Sequence, residues 1–85
     1  MKTFHYRTKG VCAREISFET DGSVVHNVRF SSGCNGNTQG ISALVEGMSV
    51  DKVIQLLEGI NCNGKGTSCP DQLATALREA KEGTL

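Results

Sequence analysis

A chain of 85 residues has room for one domain and one modest core, and a domain of that size buries only about 60–65% of the surface its unfolded form exposes. Nine basic residues balance nine acidic ones, which removes the basic excess of a nucleic-acid binder and offers nothing to an anionic membrane surface. No apolar run reaches the length of a signal peptide or a membrane span, so the expected location is cytoplasmic, where thiols stay reduced. Four cysteines in so short a reduced chain fit a metal site or reactive thiols better than a disulfide framework.

Period-two patterns fill the first third and helical patterns the rest, the signature of an α+β domain. The expected architecture is a three-stranded antiparallel sheet followed by three helices packed on one face, within a single domain over 1–85. Phe4 and Tyr6 alternate with polar residues, and Lys9-Gly10 suggests a turn after them. Ile16 and Phe18 form a second run, and Val24, Val28 and Phe30 a third. Thr20-Asp21-Gly22 separates these two. A two-residue Asp21-Gly22 loop would put Ile16 and Phe18 on the face opposite Val24, Val28 and Phe30. A three-residue loop with Gly22 left-handed restores agreement, pairing Phe18 with Val24 and Arg14 with Val28. That register sets Cys12 opposite Phe30 and makes Cys12 and Cys34 neighbours at one end of the sheet.

Beyond Gly33-Cys34-Asn35-Gly36-Asn37 the period turns helical. Ile41, Leu44, Val45 and Met48 follow the i, i+3, i+4, i+7 rule, with Asn37 or Thr38 as cap and Gly47 as stop. Ser49 caps a second helix with Val50, Val53, Ile54 and Leu57 inward and Gly59 at its end. Ile60 to Gly66 reads as a loop. Ser68 then caps the last helix, with Asp71 placed as in a capping box and Pro70 tolerated in the first turn. Leu73, Leu77 and Ala80 supply its apolar face, and the tail after Glu82 is expected to fray.

The cysteine spacing is C-x21-C-x27-C-x6-C. It contains no CxxC knuckle of a zinc finger, so the argument rests on placement. Cys34 precedes the first helix and Cys69 lies in the first turn of the last. Unpaired N–H groups and the helix dipole stabilise negative charge there, and a thiolate is the form that ligates a metal. The hairpin brings Cys12 to Cys34, and six glycine-rich residues tether Cys62 to Cys69. The plainer alternative is that these cysteines act as small buried hydrophobes. Four thiolates suit tetrahedral zinc or an iron–sulfur cluster, and the sequence does not separate them. Asp71 or Glu15 could add an oxygen ligand; their plainer roles are a helix cap and a solvated strand residue.

Gly59 to Lys65 reads G-x4-G-K, but Gly66 replaces the Ser or Thr of a phosphate loop and the segment follows a helix rather than a strand. Asn35-Gly36-Asn37 could form an anion-binding turn, or simply a cap. His5 and His26 read as surface imidazoles. No catalytic acid–base pair can be nominated, so the domain by itself is not read as an enzyme.

Thr67-Ser68-Cys69-Pro70-Asp71 spells the motif of the TSCPD domain family, which the chain resembles. Gly33-Cys34-Asn35-Gly36-Asn37-Thr38-Gln39-Gly40-Ile41 resembles that family's second block, and Gly10-Val11-Cys12 with Arg14-Glu15-Ile16 its first. The resemblance covers nearly the whole chain. It implies either a small stand-alone protein or the C-terminal domain of a cobalamin-dependent ribonucleoside-diphosphate reductase; the large barrel of such an enzyme has no counterpart here. A more distant similarity is to the IscU/NifU iron–sulfur scaffold, where Cys12, Cys34 and Cys69 match the three scaffold cysteines. Arg14 stands where the scaffold has an Asp, and Ser68 where it often has a His.

Three functions follow as expectations. The first is a metal-binding module, zinc or iron–sulfur, with Cys12, Cys34, Cys62 and Cys69 as ligands. The second is a thiol–disulfide redox accessory of a ribonucleotide reductase. The third is a nucleotide-binding regulatory module using the Gly-rich loops. The partners implied are a ribonucleotide reductase or an iron–sulfur assembly protein, with neither nucleic acid nor membrane.

Overall fold

The computed structural model describes residues 1–9, 13–31, 35–61 and 66–85. Its elements run β1 (Lys2–Arg7), β2 (Glu15–Asp21), β3 (Val24–Ser31), α1 (Asn35–Val45), α2 (Val50–Leu57) and α3 (Cys69–Glu82). The strands form one antiparallel sheet in the order β1-β2-β3, and the helices pack on one of its faces. The α+β architecture is the one the patterning implies.

Cross-strand pairing sets the inner face. Phe4 stands opposite Phe18 and Tyr6 opposite Ile16, and the Phe4 and Phe18 rings stack with centroids 5.3 Å apart. Ile16 stands in turn opposite Phe30. Val45 of α1, Val50, Val53 and Ile54 of α2, and Leu73 and Leu77 of α3 close the core over Ile16, Phe18, Val25 and Val28.

The hairpin register differs from the expected one. Asp21 pairs with Val24, Thr20 with Val25 and Glu19 with His26, leaving a two-residue Gly22-Ser23 loop. Gly22 has φ +62 and Ser23 does not share the positive φ, the pattern of a type II′ turn with glycine first. Farther along, Ser17 pairs with Arg29 and Ile16 with Phe30, so Asn27 and Val28 together face Phe18 in a β-bulge. Phe18 therefore does not pair with Val24, nor Arg14 with Val28, and Ile16 holds the place opposite Phe30 that was expected for Cys12. The turn and the bulge together are the physical reason: closing the hairpin on Gly22-Ser23 moves the partner of each β2 residue by three positions, and the bulge moves it by one more. Asn27 takes the left-handed conformation at φ 54, which Asn tolerates better than most residues. It resets the alternation, so Val25 and Val28, three residues apart, are both buried on the inner face.

The bulge is held in place by carboxylates. Asn27 N–H donates to Glu46 Oε1 at 2.8 Å, its side-chain amide donates to Glu19, and His26 Nδ1 lies 2.6 Å from Glu46 Oε2. His26 is thus a partnered imidazole. The backbone hydrogen bond holds the Glu46 carboxyl below the usual carboxylate range, with the His26 contact adding to it. Nearby, the α1–α2 connection runs along the outer edge of β3: Val25 N–H donates to Met48 O, Gly47 N–H to Val25 O, and Val50 N–H to Ser23 O. That covers part of a strand edge otherwise open to pairing with other chains.

In α1 the buried stripe is Thr38 and Val45, with Ile41 and Met48 packed against the core. Leu44 is 78% exposed, contrary to expectation. The helix starts at Asn35, two to three residues ahead of the expected caps. Residues 38, 41 and 45 share one stripe of the helix, Met48 joins the core from the connection after it, and Leu44 falls outside. Ser49 caps α2, accepting the Lys52 N–H. The C-terminus of α3 is closed by a cap at Gly83, just where the tail was expected to fray. Gly83 adopts φ 80, Thr84 N–H donates to Glu79 O and Gly83 N–H to Ala80 O, which together make a Schellman cap.

Candidate functional site

Cys69 lies in the first turn of α3, partly exposed. Cys12, Cys34 and Cys62 lie outside the described residues, as do Gly10, Gly33, Gly64 and Lys65 of the glycine-rich readings. Among the described residues no three His, Cys, Asp or Glu side chains gather as metal ligands.

Described residues beside two of the other cysteine segments bond to the start of α3, and the residue before the third bonds to the base of the β1–β2 connection. Lys9 N–H, just before residues 10–12, donates to Gln72 Oε1 at 3.0 Å. On the far side of that segment, Arg14 N–H donates to Ser31 O at 2.7 Å, and Ser31 immediately precedes residues 32–34. Thr8 N–H donates to Arg14 O and its hydroxyl to Ala13 O, closing the base of the β1–β2 connection. Around residues 62–65, Asn61 Oδ1 accepts the Gly66 N–H at 2.8 Å, and the Ser68 hydroxyl donates to Ile60 O at 2.6 Å.

The residues around Cys69 build this junction. Ser68 accepts the Asp71 N–H at 3.1 Å, the N-cap bond expected of it. Asp71 does not complete a capping box. Its Oδ1 accepts the Gly59 N–H at 2.7 Å and its Oδ2 accepts the Thr67 hydroxyl at 2.5 Å, so the carboxylate ties the end of α2 to the start of α3. Gln72 is buried; its amide donates to Thr67 Oγ1 at 3.0 Å while its oxygen accepts from Lys9. Thr67, Ser68, Asp71 and Gln72 thus act as a hydrogen-bonded frame around the position of Cys69. Glu15 stands exposed on the outer face of the sheet, 3.6 Å from His5 Nδ1.

Tyr6 lies on the inner face near this end. Partial burial pushes its hydroxyl above the ordinary tyrosine value, and the Glu79 and Asp71 carboxylates add to the effect. The frame roles of Gln72 and Thr67 were missed from sequence, because a buried glutamine has no periodic signal. The one available cue was their position beside the Cys-Pro-Asp triplet.

The model of the TSCPD domain matches residues 2–81. The chain belongs to the TSCPD domain family. No curated protein and no solved structure matches it. No helix among the described residues is long and apolar enough to cross a membrane.

Proposed function

We propose that this TSCPD domain is a cysteine-based metal-binding module, with Cys12, Cys34, Cys62 and Cys69 as thiolate ligands for zinc or an iron–sulfur cluster. One observation carries the reading: the described flanks of all three other cysteine-bearing segments are hydrogen-bonded to one another or to the frame at the start of α3, where Cys69 sits. Thiolates are soft ligands suited to either metal form, and the reading places the four of them where these flanking segments lead.

The donor set fits such a group better as four sulfurs than with an added oxygen. Asp71 accepts one hydrogen bond on each oxygen, which supports reading it as a residue that positions Cys69 beside a four-sulfur ligand set. Bound zinc would act as a structural cross-link between the sheet end and α3; a cluster would add electron storage. The chain's own contribution is to tie the flanks of these segments together, through Gln72, Asp71 and Ser68 at the start of α3 and through the Arg14–Ser31 bond at the sheet end.

Titration of reduced protein with Co²⁺, followed by thiolate-to-cobalt charge-transfer absorption, tests this. A one-equivalent endpoint that weakens in each single Cys→Ser variant supports a shared four-sulfur site. Absence of a charge-transfer band, or a band indifferent to three of the four substitutions, refutes it.

A further inference from the structure

The chain is neutral overall, yet its charges are unevenly matched. Arg78 pairs with Glu58 and Lys81 with Asp51, both between helices. Among the described residues, Arg7, Lys9, Arg14 and Arg29 enter no ion pair, and all four are exposed.

Topology collects them at one end. Arg7 closes β1 opposite Glu15, which opens β2. Arg14 is the next residue back, hydrogen-bonded to Thr8 and Ser31. Lys9 is tied through its amide to Gln72. Arg29 lies across from Ser17 on the outer face, one strand beyond. With strands about 4.8 Å apart and residues rising about 3.3 Å each, Arg7 and Arg29 are roughly 12 Å apart. That is near the Debye length of about 8–10 Å, so their fields overlap at moderate salt. Glu15 is the one carboxylate in the row between Arg7 and Ser31, and it lies against His5.

The geometry points to this cationic end of the sheet as a docking surface for an acidic protein surface, presented beside the segments that carry the cysteines. Charge complementarity fixes the occupant. Cations without internal partners need no desolvated ion pair to be broken before they engage carboxylates, and such charges steer association and set orientation. Single-stranded nucleic acid is the less favoured anion. Phe4, Tyr6, Phe18 and Phe30 all belong to the inner face, which leaves His5 alone, with no Phe, Tyr or Trp, on the outer face for bases to stack on. The docking surface stands whether or not the thiols hold a metal; only its proximity to a working centre rests on the proposed function.

A fluorescent ten-residue glutamate peptide, titrated into the isotopically labelled full chain, tests the assignment. The expected result is amide shift changes concentrated at Arg7, Lys9, Arg14 and Arg29, weakening as salt is raised. The Arg7→Glu/Arg29→Glu double variant should lose about tenfold in affinity, while Lys2→Glu/Lys52→Glu, which reverses two exposed unpaired cations elsewhere, stays within about twofold. Equal losses in the two double variants overturn the proposal, as does tighter binding of an oligo-thymidylate of matched charge. Metal content of the double variants, measured alongside, separates failure of this surface from failure of the cysteine site.

Discussion

Removing the Asp71 carboxylate separates a positioning role from a ligand role. Asp71→Ala deletes two charge-assisted hydrogen bonds that the carboxylate accepts, one from the Gly59 N–H at 2.7 Å and one from the Thr67 hydroxyl at 2.5 Å. Such bonds contribute about 1.5–3 kcal/mol each. Gly59 is exposed, so water replaces the carboxylate there and the lower end applies. Thr67 is partly buried and retains its bond from Gln72, which softens the second loss as well. The sum is about 3 kcal/mol, a large share of the roughly 4–13 kcal/mol total for a domain of this length. It corresponds to a fall of ~12–24 °C in Tm. Circular dichroism melts of wild type and Asp71→Ala, with metal stoichiometry measured on the folded protein at low temperature, provide the assay. The account predicts the lower Tm with unchanged metal per chain. An unchanged Tm, or loss of metal from folded Asp71→Ala, refutes the positioning role.

Other outcomes follow from the same structure. Leu77→Ala, at a fully buried site, should cost about 2–5 kcal/mol in denaturant unfolding. Leu44→Ser, at a largely exposed one, should fall within about 0.5 kcal/mol of wild type. The Glu46 carboxyl is held below its ordinary range, so its stabilising effect is present above the unfolded carboxylate pKa and is lost as pH falls through the folded one. The Asn27 amide resonance should therefore titrate below the usual carboxylate range, and Glu46→Gln should remove that titration. Tyr6 is the one tyrosine in the chain, and its raised pKa means its contribution persists below the unfolded value and is lost as pH rises through the folded one. Its phenolate absorbance should appear at higher pH than in the unfolded chain.

What the sequence revealed follows from where the physical signal is local. Ser49 and Ser68 were legible as caps because the side chain that bonds the helix amide lies within three residues of it. Val53, Ile54, Leu73 and Leu77 were legible because helical periodicity depends only on neighbours along the chain. The strand register was not. Val24-Val25 offers two residues of equal hydrophobicity for one inward position; the Gly22-Ser23 turn chooses Val25, and Asn27 with Glu46, nineteen residues away from it, then shifts Val28 and Phe30 inward. Leu44 was misplaced because four apolar residues in α1 overfill the stripe that β3 covers. At the candidate site, the capping role of Ser68 was readable, but the Lys9–Gln72–Thr67 connection spans sixty-three residues at its longest step and leaves no pattern in sequence. Asp71 looked like half of a capping box because the spacing is the same; its carboxylate goes instead to Gly59 and Thr67, partners the local motif does not contain.

The most direct test of the cysteine-site proposal is the metal and acid-labile sulfide content of protein purified anaerobically without a metal-affinity tag. The account predicts stoichiometric zinc, or iron with matching sulfide, in wild type and its loss in Cys69→Ser. A folded wild-type chain with neither metal contradicts it, and leaves the frame of Thr67, Ser68, Asp71 and Gln72 as a purely structural junction.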